Sequence, residues 1–579
     1  MTNFGLGRKG MDMTKILKIV AGVVAVCVAI SSLAFAQEEE LDTTFGAGTG
    51  MVTFDNGGDG LDQQSNAVTV DSSGNIYVVG STIVGGNSEF LTLKYDSAGN
   101  LLWSRTFYSG ENDSGSEVAS AVVVDDTTGD IYVAGGDPGG YNFAVIKYDS
   151  NGNRYGDSDG GNPVGATGFG NYDTDGGGTY DVALYWGWGY AYPQAMVRDD
   201  SGNLYVAGWE QDGDFWTLTI KLDSDGHQYG LSVDYNGDPF PTAVSEIPFG
   251  NDNGDSDDGD DKNETAWFGP SGSEAAYDIA LDPSSDVFYL AGESDGYPMV
   301  LKYDLNGHRY GDGGDPSAVS DTAYGTYDDD GNDKEDGVLI DVHDGILWGI
   351  AADSSENTLV AGYLDDGDTY WMVRKLNGNG YVYGYDMNGD WGIDNPNKDM
   401  AFGNDDSDGN GVNDAIIFDN GAGSNQARAI AVNDTEGFFV AAGFYVDGSG
   451  DTVVRTAKYA VSDGSELWSD TSFKTPEAPD YYQEFGISLG SIIVAATYDN
   501  GSDGDVRVLK YASPSAEPPA SYNNDDSSFP PCFISTAAYG RSYSLGGTLL
   551  GFGDRILLMC PLILSALLLR LFAILFKRK

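Results

Sequence analysis

The sequence predicts an all-β fold, and three observations carry that prediction. A segment typified by AVTVDSSGNIYVVG and AMVRDDSGNLYVAG recurs seven times between Ala67 and Tyr511. Each copy centres on a β-branched and aromatic run ending in small residues: Ile76 to Gly80, Ile131 to Gly135, Leu204 to Gly208, Val287 to Gly292, Thr358 to Gly362, Phe438 to Gly443 and Ile492 to Ala496. Alternating segments flank each run, as in Ala67-Val68-Thr69-Val70 before the first and Leu91-Thr92-Leu93-Lys94-Tyr95 after it.

Each copy therefore holds at least three strands. Asp-Ser-Ser-Gly-Asn at 71–75 and Asp-Ser-Ala-Gly-Asn at 96–100 join them as hairpins, with Gly where positive φ is needed and Asp positioned to bond the turn backbone. A fourth strand follows at Leu101 to Phe107 and at Leu467 to Phe473. Seven four-stranded antiparallel units predict a seven-bladed β-propeller, whose radial order leaves only short edges. After Tyr511 the chain turns to ASPSAEPPAS and supplies no outer strand for the last copy. Met51 to Phe54, just ahead of the first copy, is predicted to fill that place and join the two ends over 37–511.

The stretches VDSSGNIYVVGST and LKYDSAGNLLW resemble the bacterial β-propeller repeat called SBBP, and LDTTFGAGTGMVTF at 41–54 resembles the delta-60 repeat. The resemblance covers most of residues 41–511. It implies the propeller and brings no defined catalytic residues with it.

Both ends of the chain point to export. Arg8, Lys9, Lys15 and Lys18 precede an apolar stretch from Ile19 to Ala34, and Ala34-Phe35-Ala36 gives an A-x-A site, so 1–36 is predicted to be a signal peptide cleaved after Ala36. A lipid anchor at Cys27 is disfavoured by bulky Val26. Residues 512–531, rich in Pro, Ser, Asn and Asp, predict a flexible linker. Ile556 to Phe576 is apolar except for Ser565 and Arg570 and ends in Lys577-Arg578-Lys579, which predicts a transmembrane helix at 556–576 with a cytoplasmic end. Upstream, CFISTAAYG at 532–540 resembles the CFI-box of bacterial C-terminal sorting domains. That resemblance implies sorting machinery as a partner and processing or modification at Cys532; an unmodified thiol before a plain anchor is the alternative. Cys532 and Cys560 do not make a disulfide framework. The predicted location is the cell envelope or cell surface, anchored or released after processing.

The formal net charge is −61, and much of it lies in insertions within copies two to five, at about 156–190, 230–270, 311–345 and 381–424. The insertions GFGNYDTDGGGTYD, PFGNDNGDSDDGDDKNE, AYGTYDDDGNDKED and AFGNDDSDGNGVND are copies of one another. Aligned on the Asp-Gly step, they place carboxylates at positions one, three and nine: Asp173, Asp175 and Asp181; Asp328, Asp330 and Asp336; Asp406, Asp408 and Asp414. The remaining loop has Ser256 at position one, then Asp258 and Glu264, and position five holds Asp260 here and Asn410 in the last loop. Oxygen ligands at alternate residues around a Gly turn suit Ca²⁺, which takes six to eight oxygens. The loops resemble those of EF-hand, dockerin and thrombospondin type 3 repeats but lack a bidentate Glu at position twelve. Solvated turns in an acidic protein are the plainer reading; mutual repulsion of the carboxylates makes Ca²⁺ the simpler one.

Seven lysines recur at one position: Lys94, Lys147, Lys221, Lys302, Lys375, Lys458 and Lys510. Recurrence in every copy predicts a contact between blades rather than a ligand site. His227 and His308 occupy equivalent hairpin positions, read as surface, and Trp103 and Trp468 are packing residues of fourth strands. No Ser-His-Asp order, phosphate loop or zinc spacing is present, and the acidity excludes nucleic acid as a partner. Three function classes remain: a Ca²⁺-stabilised envelope scaffold that binds or adheres to protein or glycan, a purely structural surface component, and a propeller enzyme. For the enzyme, YAVSDGSELW at 459–468 resembles one unit of quinone-binding propellers.

Overall fold

The computed structural model describes residues 41–55, 62–108, 117–136, 142–158, 162–186, 190–231, 244, 247–251, 263, 265–269, 273–284, 286–312, 319, 322–327, 335–340, 344–365, 367–385, 395–407, 410–421, 424–475, 486–488, 492–499 and 504–512. The chain divides into two units, Gln37–Ser515 and a second made of Met1–Ala36 and Ala516–Lys579. All described residues belong to the first. The predicted signal peptide with Ala36, the sorting segment with Cys532 and the helix at 556–576 lie outside them. Among the described residues no helix is long and apolar enough to cross a membrane.

Seven antiparallel sheets follow one another around the ring, each with a path of four hydrogen-bonded strands. In the first blade these are Gln63–Val70, Ile76–Val84, Asn87–Tyr95 and Leu101–Phe107. In blades two to five the acidic insertion separates the third strand from the fourth, which is Ala183–Trp186, Thr265–Phe268, Val338–Leu339 and Ile416–Phe418 in turn. Blade six adds Lys474–Thr475 beside its third strand. This is the seven-bladed propeller that the repeats predict.

The hairpins form as their sequence requires. Asp71 Oδ1 accepts the backbone N–H groups of Ser73 and Asn75, Gly74 supplies φ of 81°, and Asn75 Nδ2 donates to Asp71 Oδ2. The same set recurs at Asp96–Asn100, where bonds from the Asn100 side chain and backbone hold the Asp96 carboxyl below its usual range. In two hairpins histidine takes the Asn place: His227 Nδ1 lies 3.0 Å from Asp223 Oδ2, and His308 Nδ1 lies 3.1 Å from Asp304 Oδ2. These histidines are half-buried hairpin staples, a correction to their reading as surface residues.

The ring closes with the N-terminal strand. Met51–Phe54 pairs antiparallel with Gly504–Lys510, in register Met51↔Leu509 to Phe54↔Val506, and completes the seventh sheet. One hydrophobic cluster then runs across the joint, combining Phe45, Phe54, Ile76, Leu93, Ile493 and Val508.

Blades are clasped to their neighbours by a repeated device. The ammonium of Lys94 donates to the carbonyl of Ser150 in the next blade, Lys147 to Ser224, Lys221 to Leu305, Lys302 to Gly378 and Lys375 to Val461, all within 2.8–3.2 Å. Each lysine also lies over a tyrosine of its own blade, as Lys221 does over Tyr205 at 5.1 Å, and burial lowers the pKa of Lys221 and Lys302. The recurring lysines are architectural, as their spacing predicts. Their common partner is a carbonyl; carboxylates within 3.5 Å join it only locally, at Lys147–Asp130 (3.1 Å) and Lys510–Asp42 (3.3 Å).

Beside Lys147, Lys221, Lys302, Lys375 and Lys510 sits an aromatic-glycine pair. Gly170, Gly250, Gly325 and Gly403 donate their N–H to Asp225, Asn306, Asn379 and Asp463 of the following blade, at 2.7–2.8 Å. Gly46, in the N-terminal TFGAG stretch, donates to Ala98 of blade one at 3.0 Å. The residues before them, Phe169, Phe249, Tyr324, Phe402 and Phe45, are buried. All five glycines have φ between 60° and 86°. Thus the segment Leu41 to Phe54 is the missing insertion and fourth strand of blade seven, carried at the other end of the chain. Blades one and six, which lack an insertion, use Trp103 and Trp468 instead: Trp103 Nε1 donates to Ser150 O at 3.3 Å, and Trp468 packs on Tyr511 at 5.1 Å.

Candidate functional site: the axial channel

The innermost strands of blades one to six each contain a β-bulge at the same place, one extra residue that the neighbouring strand does not match. The extra residues are Asn66, Ser120, Gln194, Tyr277, Trp348 and Arg428. They line a cavity of about 280 Å³ on the ring axis, with Ala67, Ala121, Ala195, Asp278 and Ala429 from the position that follows. A layer of Val68, Val122, Met196, Ile350 and Ile430 completes the lining. At the position after the bulge five blades use Ala or Gly, and blade four alone presents a carboxyl, Asp278.

The bulge residues divide into two arcs. In blades one to three they are small neutral polar groups: Asn66 Nδ2 donates to Ala119 O at 2.8 Å and Ser120 Oγ to Pro193 O at 2.6 Å, each tying its blade to the next. Gln194 is partly exposed in the channel. In blades four to six they form a stack. The rings of Tyr277 and Trp348 lie 4.3 Å apart, and the Arg428 guanidinium covers Trp348 at 4.0 Å and approaches Phe444 at 5.6 Å. Tyr277 donates to Glu293 Oε1 at 2.9 Å.

Asp278 is held by two backbone donors, Ile350 N to Oδ2 at 2.8 Å and its neighbour Ile279 N to Oδ1 at 2.9 Å. Asp278 is half-buried at the channel wall. Burial pushes its pKa up to about 7, against the pull of those two N–H groups. Burial likewise raises Glu293. The channel wall therefore carries one guanidinium and one carboxyl poised between its two forms, a combination typical of ligand sites.

The carboxylates singled out in the acidic loops have a different geometry. Position nine, described at Asp181, Asp336 and Asp414, is fully buried and faces an arginine: Arg154, Arg309 at 3.4 Å and Arg374 at 3.9 Å respectively. Asp181 also accepts from the backbone and hydroxyl of Thr174. Positions one and three work as loop formers. Asp173 accepts Gly178 N and Asp406 accepts Gly411 N, while Asp175 accepts Gly177 N and Ser158 N. Asn410 Nδ2 donates to Gly384 O. Among the described residues no three His, Cys, Asp or Glu side chains gather as a metal ion needs. Asp258, Asp260, Glu264, Asp328, Asp330 and Asp408 lie outside them. One oxygen of Asp173 and one of Asp406 are nonetheless buried with no partner among the described residues.

Residues 57–87 match the SBBP family, a beta-propeller repeat. The chain carries an SBBP repeat. That match covers the first two strands of blade one, including Asn66 of the channel. No curated protein matches the sequence. Solved structures similar in fold to this SBBP-repeat chain include hydrazine synthase of Kuenenia stuttgartiensis, at 8% identity over 77% of this chain and 96% of that one with a TM-score of 0.37. The WD40 repeats of RRP9 match at 9% identity over 80% and 97%, with a TM-score of 0.39. The polysaccharide lyase Uly1 matches at 9% identity over 77% and 89%, with a TM-score of 0.37.

Proposed function

We propose that this protein is an exported, envelope-anchored binding scaffold whose ligand, a glycan or a protein segment, enters the axial channel. The observation that carries this reading is the ring of bulges. One backbone position, repeated in six blades, displays six different side chains into one cavity, while the clasp residues around it stay the same. Architecture explains the constant positions; a ligand is the simplest reason for the varied ones. The A-x-A site and the apolar C-terminal segment support export and anchoring.

Ca²⁺ is part of the proposal. The buried oxygens of Asp173 and Asp406 that have no hydrogen-bond partner among the described residues fit a cation held at positions one and three of the loops, with the remaining ligands from carbonyls and water. Position nine serves its arginine, so each loop offers fewer carboxylates than its spacing suggests. A bound cation would rigidify the acidic face and relieve repulsion among its carboxylates.

The test is a binding screen of the purified protein against glycan arrays and cell-envelope preparations, with and without chelator. Binding lost on filling the channel, through Gln194→Trp, supports the reading. Binding that survives this substitution moves the site to the loops.

A further inference from the structure

Most polar side chains of the channel wall are engaged within the protein. Asn66 Nδ2 donates to Ala119 O, Ser120 Oγ to Pro193 O and the Tyr277 hydroxyl to Glu293, while both oxygens of Asp278 accept backbone N–H groups. The Arg428 guanidinium lies on Trp348 and near Phe444. Turning any of these groups to a guest would break a contact that ties the wall together, so a polyhydroxylated or ionic ligand finds few partners here. Gln194 differs. It lines the cavity, is partly exposed, and its amide makes no hydrogen bond to a described residue. The rest of the lining is apolar, with Val68, Val122, Met196, Ile350 and Ile430 in one layer and aromatic surface from the Tyr277–Trp348 pair. Such a wall suits a ring with one polar atom. The cavity of about 280 Å³ exceeds the roughly 150 Å³ that suffices for benzene and falls just below the roughly 300 Å³ at which pockets for larger ligands begin. One substituted ring fits; a chain of rings does not.

We propose, building on the channel as the binding site, that it is an anchor pocket for one tyrosine side chain presented by a segment of a partner protein. The ring packs on the aliphatic layer, and its hydroxyl meets the Gln194 amide, which can both donate and accept. Tyrosine suits the pocket because it brings a large apolar area with a single polar tip and has few torsions to freeze, the properties of an interface anchor. A free phenol would use the channel alone. A peptide with basic flanks also uses the acidic exterior that the formal net charge of −61 reflects, and this favours the protein segment as the source of the ring.

The experiment is isothermal titration of the full chain with p-cresol and the capped peptides KGYGK, KGFGK and KGAGK, on wild type, Gln194→Leu and Gln194→Trp. KGYGK should bind at least about tenfold more tightly than KGAGK, whose equal charge measures the exterior alone, and p-cresol should compete with it. Gln194→Leu should weaken KGYGK by about three- to tenfold and leave KGFGK unchanged, since only the tyrosine loses a hydrogen bond. Gln194→Trp fills the pocket and should bring KGYGK down to the level of KGAGK. Both variants change a partly exposed side chain. The proposal is overturned if KGYGK binds no better than KGAGK, if Gln194→Leu weakens KGYGK and KGFGK alike, or if Gln194→Trp leaves KGYGK affinity intact. Binding of p-cresol without a tyrosine preference among the peptides overturns it too, in favour of a free small phenol. Failure here with channel-dependent binding retained on the glycan array would reject the tyrosine anchor and leave the scaffold reading standing.

Discussion

The ammonium of Lys510 donates to the carbonyl of Ser97 at 2.9 Å, joining the last blade to the first across 413 residues of sequence. The same lysine-to-carbonyl contact joins five other neighbouring pairs of blades, so the joint where the ring closes is built like the rest. What differs is that its aromatic-glycine pair and outer strand arrive from the N-terminal segment Leu41 to Phe54. Closure of the ring therefore depends on non-covalent contacts of fourteen residues from one end of the chain with the other end.

Phe45 tests this dependence. It is fully buried, lies under Lys510 at 5.7 Å and fills the space above Gly99, where an added Cβ would sit 2.9 Å from its ring. Phe45→Ala should cost about 3 to 5 kcal/mol, the usual range for a buried Phe, read as a lower urea midpoint with unchanged slope. A loss below about 1 kcal/mol would mean that the N-terminal segment does not hold the ring shut.

The glycines of the clasp are predicted to be irreplaceable. Gly170 has φ of 81°, and a Cβ there would meet the carbonyl oxygen of Val182 at 2.1 Å. Gly170→Ala must therefore open the bond to Asp225 as well as strain the backbone, and should destabilise by more than about 2 kcal/mol. Gly176, also at positive φ but with nothing near its Cβ position, is the control and should cost only about 1 kcal/mol when changed to Ala. Equal losses at the two positions, read from thermal denaturation, would sink the clasp.

Much of this fold is readable because its causes are local. Alternation in Ala67–Val70 and the Asp-Ser-Ser-Gly-Asn turn specify strand and hairpin within a dozen residues, and seven copies make the ring. The N-terminal strand is readable too, since the seventh copy visibly lacks its fourth strand. The channel is not, because a bulge exists only relative to the strand beside it. Asn66 looks like one more residue of an alternating strand until the slip between Ser65 and Ala67 against Gly80 and Val79 is seen. Aligning SNAV, ASAV, PQAM, AYDI, LWGI and ARAI exposes the varied column and the lone Asp278. Likewise, the loop spacing marked Asp181, Asp336 and Asp414 as special but not why. Arg154 and Arg309 hold the same place in the hairpin, whereas Arg374 reaches Asp414 from within the third strand, where no shared spacing announces it.

The Arg154–Asp181 pair separates a structural role for position nine from a metal role. Both groups are largely enclosed, and Arg154 also covers the Phe107 ring of the preceding blade at 4.9 Å. Arg154→Met should cost about 3 to 5 kcal/mol by stranding a buried carboxylate. Adding Asp181→Asn should recover part of that loss, because the stranded charge is removed. If excess Ca²⁺ restored the single variant to wild-type melting temperature, the carboxylate would belong to a cation instead.

Asp278 gives the propeller a pH signature whose sign follows from burial. Its carboxyl titrates near 7 in the folded chain and near 3.8 when unfolded, so the folded state holds the proton more tightly. That contribution to stability is fully present below about pH 4 and is lost as pH rises through 7. Asp278→Asn keeps an oxygen to accept the Ile350 N–H and never ionises. The variant should therefore match wild type near pH 4 and exceed it at pH 8, by about 2 to 4 kcal/mol where channel water does not soften the effect. The nearby Glu293 and Arg428 are common to both proteins and cancel in the difference. Parallel stability curves from pH 4 to 8, measured by urea denaturation, would show that Asp278 is already solvated and charged in the channel.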